Sequence, residues 1–103
     1  MAEAQFRVTV VDDAESPHVV AAGEIDLANV TQFQEVMAKA AEDAATLTVD
    51  LVGVSYCDSA AVRALFALAA TTALTMIVAV EGPIRTLLGI SGLDRVATVV
   101  VKD

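Results

Sequence analysis

Tryptophan is absent from the 103-residue chain and aromatic residues make up only 4% of it, so any core is built from Ala, Val and Leu rather than rings. The one cysteine, Cys57, excludes an internal disulfide and agrees with a reducing compartment. Histidine also occurs once, as His18 in a stretch that reads as a strand, which leaves a Cys57–His18 nucleophile without support. Cations are scarce: six Lys and Arg face fourteen Asp and Glu, a net charge of −8. That balance repels nucleic acid and anionic lipid, and it leaves a basic protein surface as the favoured partner. No Gly-rich phosphate loop follows any strand, because Gly82-Pro83 lacks both further glycines and a lysine. Glu24, Asp26, Asp50 and Asp58 lack the spacing of a calcium loop, so neither metal nor cofactor is expected. The opening MAEAQFRVTVVDDAES has no basic start followed by an apolar run, so a signal peptide is not read there and the cytoplasm is the expected location. The uncharged stretch Ala64–Val80 falls just short of a membrane span and is interrupted by Thr71, Thr72 and Thr75; it divides better into a helix and a strand.

What is present is a strongly apolar chain, 56% hydrophobic, of a length that suits one domain over residues 1–103. Phe6–Val11 and His18–Ala22 read as two strands joined by an acidic turn at Asp12-Asp13. Gly23-Glu24-Ile25-Asp26 ends the second, with Asp26 placed as an N-cap. Leu27, Val30, Phe33, Met37, Ala40, Ala41 and Ala44 then recur at helical steps. Thr46–Val52 alternates as a third strand, and a second helix is expected from Ser59 to about Thr72. Leu74–Val80 is continuously apolar, as for a central strand covered on both faces. Gly82-Pro83 opens a third helix that Gly89 or Gly92 ends, and Val96–Val101 is the last strand. Alternating strands and helices imply an α/β fold with a mostly parallel sheet.

The organising stretch is Val49–Leu68, VDLVGVSYCDSAAVRALFAL, a strand-to-helix junction. Asp58 and Ser59 are both suited to cap the helix, and a phosphoryl group on Ser59 would sit at the positive end of the helix dipole. Arg63 follows one turn later, spaced to meet a phosphoryl group on Ser59, an acid on a partner, or Asp58.

Asp50-Leu51 followed by Asp58-Ser59, with Gly23-Glu24-Ile25-Asp26 upstream and Pro83-Ile84-Arg85-Thr86-Leu87-Leu88 and Ser91-Gly92-Leu93 downstream, resembles the STAS domain of anti-sigma factor antagonists over nearly the whole chain. The resemblance implies a single small α/β domain, a mixed and mostly parallel sheet of about five strands flanked by three main helices, with no enzymatic activity. It also implies partner switching in transcription regulation. The unphosphorylated domain binds an anti-sigma factor that is also a serine kinase, phosphorylation releases it, and a phosphatase restores it. Carried over, Ser59 is the phosphoacceptor, and Asp26, Asp58, Ser59, Ala60, Ala61 and Arg63 form the partner-binding surface. Ala60-Ala61 stand where the family has Ser or Thr and then Gly. The alternative is a STAS-like scaffold subunit that docks constitutively on another complex, such as the ATPase of a lipid transporter.

Overall fold

The computed structural model describes residues 7–11, 17–42 and 44–102, so the expected acidic turn at Asp12-Asp13 and the start of the first strand at Phe6 lie outside the described residues. Five strands form one sheet in sequence order: β1 (Arg7–Val11), β2 (His18–Ile25), β3 (Thr46–Cys57), β4 (Ala73–Ala79) and β5 (Thr98–Lys102). β1 runs antiparallel to β2, and the remaining pairs are parallel. Helices α1 (Val30–Ala40), α2 (Ser59–Ala69) and α3 (Pro83–Ser91) make the parallel crossovers. When strands are added in sequence order by crossovers of one hand, every helix falls on the same face.

Burial follows from that geometry. Val19 and Ala21, Leu47, Val49 and Leu51, and Leu74, Met76 and Val78 point to one face and are buried with Phe33 and Met37 of α1, Ala61 and Leu65 of α2 and Leu88 of α3. The other face carries Val20, Thr48, Asp50, Thr75 and Ile77, none of them fully covered. β4 is therefore not the doubly covered central strand that its apolar run predicts. β3 is central, and β4 alternates buried and half-buried residues like its neighbours. A run of apolar side chains cannot show how many faces are covered, because Thr75, Ile77 and Ala79 on the half-open face are shielded in part by adjacent strands.

The ends of β3 and α2 also shift, and the end of α3, open in the sequence between Gly89 and Gly92, is decided. β3 extends past Val52 to Cys57 because register shifts against β2, between Val20 and Ala22 and again between Gly23 and Glu24, re-phase its buried residues from every second to every third position, at Val54 and Cys57. Gly23 accommodates the second shift with φ 91°, a conformation that glycine adopts freely. α2 stops at Ala69, where Thr72 N–H still reaches Leu68 O but the chain turns toward β4. α3 begins at Pro83 as expected and ends at Gly92, whose φ of 84° is the left-handed cap, so Gly89 lies inside the helix. Among the described residues no helix is long and apolar enough to cross a membrane; Ala64–Val80 is divided between α2 and β4.

Candidate functional site

Parallel pairing places the C-terminal ends of β2 and β3 side by side, with Ile25 opposite Cys57. The two chain segments that leave the sheet there, Asp26–Asn29 and Asp58-Ser59, are therefore neighbours although far apart in sequence. Asp58 continues the ladder by donating its N–H to Ile25 O at 3.2 Å, and then its side chain works in two directions. Oδ1 accepts from Ala60 N–H at 2.9 Å and Ala61 N–H at 3.2 Å, capping α2. Oδ2 accepts from Leu27 N–H at 3.1 Å and clasps the turn that precedes α1.

That turn differs from the expectation. Asp26 does not cap α1, which starts at Val30. Asp26 Oδ1 instead accepts from Ala28 N–H at 2.9 Å, closing a local turn of the kind Asp favours. Asn29 fixes the turn from its other end, accepting Asp26 N–H at 3.0 Å and donating to Glu24 O at 2.9 Å. Leu27, counted above on the buried face of a helix, stands 77% exposed at the tip. It leads into a groove of about 330 Å³ between α1 and α2, lined also by Gln34, Ala60, Arg63 and Ala67.

The expected site residues separate within this frame. Asp26, Asp58, Ser59, Ala60 and Arg63 are brought together at the C-terminal end of the sheet with surface exposed to various degrees. Ala61 is fully buried, so its methyl packs in the core and offers nothing to a partner; residue 61 faces inward because Asp58 caps the helix so that Ala61, Ala64 and Leu65 meet the sheet. Ser59 is exposed at the first position of α2, and its hydroxyl makes no hydrogen bond among the described residues, since the capping is done by Asp58. Arg63 is exposed and makes no ion pair among the described residues; the expected tie to Asp58 does not form because both Asp58 oxygens serve backbone N–H groups.

Cys57 and His18 do not meet. His18 pairs with Thr48 at one end of β2 and Cys57 with Ile25 at the other, on the order of 30 Å of strand apart. Burial, and secondarily the Asp58 charge, pushes the Cys57 thiol from 9.0 up to about 12, which keeps it protonated and unreactive at neutral pH. Asp50, once grouped with the other carboxylates, lies on the half-open sheet face and accepts from Val52 N–H. Among the described residues no three His, Cys, Asp or Glu side chains converge as metal ligands.

The family model described as "Mlab, STAS domain" matches residues 8–102, which spans both the clasp and the sheet that carries it. The chain belongs to the STAS domain family. Solved structures with the same fold include an anti-sigma factor antagonist from Mycobacterium paratuberculosis, 22% identical, with a TM-score of 0.83 and 93% of this chain and 86% of that one covered. The Bacillus cell fate determinant SpoIIAA in its phosphorylated form is 20% identical, with a TM-score of 0.64 and coverage of 96% and 92%. The anti-sigma factor antagonist SpoIIAA in its unphosphorylated form gives 17%, 0.61, and coverage of 96% and 88%. Comparison with the curated proteins returns no match. In this STAS domain, sequence reasoning missed Leu27 and Asn29. The helical period hid Leu27, whereas an Asp and an Asn three residues apart before the first buried residue, Val30, carry the signature of a turn.

Proposed function

We propose that this STAS domain is a phosphorylation-switched binding module that acts in the cytoplasm as an anti-sigma factor antagonist. The unmodified domain binds an anti-sigma factor with serine kinase activity, and the kinase transfers a phosphoryl group from a nucleoside triphosphate to Ser59 Oγ, with loss of the hydroxyl proton and release of the diphosphate. A phosphatase reverses the modification. The domain brings no free base to Ser59 among the described residues, since both oxygens of the neighbouring Asp58 accept backbone N–H groups. One observation carries the reading: Ser59 is exposed and idle, because Asp58 performs the structural task that a serine at a helix start ordinarily performs. Modification there leaves the hydrogen bonds of the fold in place and adds about −1.5 to −2 charges to the surface beside Asp26 and Asp58. Leu27 and Arg63 supply the surface with an apolar anchor and a cation.

A pull-down from the cells of origin tests the reading. Ser59→Ala is expected to recover a kinase-like anti-sigma factor and Ser59→Asp to lose it; equal recovery by both overturns the switch. A second reading, a constitutive scaffold subunit docked on another complex such as a transporter ATPase, is favoured by Ala60, which lacks the hydroxyl that the family carries beside the phosphoacceptor. It predicts binding that is indifferent to charge at residue 59.

A further inference from the structure

This inference rests on the phosphorylation reading and concerns what holds the phosphoryl group. The first amides of a helix are the usual anion site. In α2 two of them, on Ala60 and Ala61, already donate to Asp58. The remaining Asp58 oxygen is taken by Leu27 N–H, and Asp26 is closed on Ala28. A dianion on Ser59 therefore meets two carboxylates and few free donors. From α1 the groove lining brings Gln34 and no charge, and among the described residues no charged or polar residue is buried beneath α2. The thiol at the end of β3, Cys57, is neutral at physiological pH. One cation lines the groove, Arg63, exposed and without an ion pair among the described residues. It lies four residues after Ser59 on the same helix face, and side chains on a helix lean toward the N-terminus, a spacing that puts the serine within reach of the guanidinium.

We propose that Arg63 is the residue that reads the phosphorylation state of Ser59, its guanidinium bridging to the phosphoryl oxygens and leaving the lip of the α1–α2 groove. In the unmodified helix a cation so near the N-terminus opposes the macrodipole. With a dianion at the first position the same cation becomes favourable, by a charge-assisted and bidentate contact. Modification then changes the surface twice, adding negative charge and withdrawing the groove's cation.

The test is a phosphorus NMR titration of the protein carrying phosphoserine at residue 59, installed during synthesis with an expanded genetic code, beside the same phosphoprotein with Arg63→Gln and with Arg63→Lys. Arg63 is expected to lower the second ionisation of the phosphate, so Arg63→Gln raises it by about 0.2–0.4 pH units and Arg63→Lys by less. In about 1 M salt the difference should shrink. Coincident titrations of the parent and Arg63→Gln overturn the assignment. Neither kinase nor partner enters this titration, so its failure removes Arg63 as the reader and leaves the switch standing. Absence of phosphate on Ser59 in cells removes the switch itself.

Discussion

Asp58 is the residue on which both halves of the site depend, because one carboxylate oxygen caps α2 and the other clasps the turn before α1. Asp58→Ala should cost about 1–2 kcal/mol in urea unfolding, and Asp58→Asn should recover most of it, since an amide oxygen still caps Ala60 and Ala61. Only the Leu27 contact would then be weakened, so partner binding should fall further in Asp58→Asn than stability does. Cys57 gives a pH prediction whose sign is fixed by its environment. Its thiol ionises near 12 in the folded protein against 9.0 ordinarily, so the folded state holds the proton more tightly. The stability this contributes is complete below pH 9 and is lost as pH rises toward 12. Urea unfolding at a series of pH values should show that alkaline decline, and Cys57→Ala should flatten it. At this scale the sequence placed Asp58 and Ser59 at the start of α2 and Arg63 one turn later, because capping chemistry and helical spacing are local. It did not show that Ala61 faces the core or that Leu27 faces solvent, since each depends on where the neighbouring strand ends.

At the scale of elements, two glycines of one helix should respond in opposite directions. Gly89 lies inside α3, where an added Cβ would meet only Asp94 Oδ2 at 3.9 Å, so Gly89→Ala is expected to stabilise by about 0.5–1 kcal/mol. Gly92 ends the helix with φ 84°, so Gly92→Ala should destabilise by about 1 kcal/mol despite open space around it. Both values follow from urea midpoints at constant slope. The sequence offered both glycines as helix ends and could not choose, because only the backbone angle distinguishes them. Strand identities were legible from alternation and apolar runs, as was the Pro83 start. The length of β3 was not: two register shifts break the period after Leu51, and a broken period reads as a loop.

At the scale of the molecule, the sheet gathers the ends of β2 and β3, the clasp binds their turns together, and the exposed products are an apolar tip and, without partners among the described residues, a serine and an arginine. The single helix-bearing face follows from right-handed crossovers between strands laid side by side in sequence order. What the order of elements along the chain could not carry was that β3, not β4, occupies the centre. The central claim is that this surface changes state by modification of Ser59. Intact mass with site mapping of the protein purified from its own cells tests it most directly. The account predicts a population carrying one phosphoryl group, mapped to Ser59, whose share changes with growth condition. An unmodified Ser59 under every condition, or phosphate confined to Ser55 or the threonines at the end of α2, would contradict it.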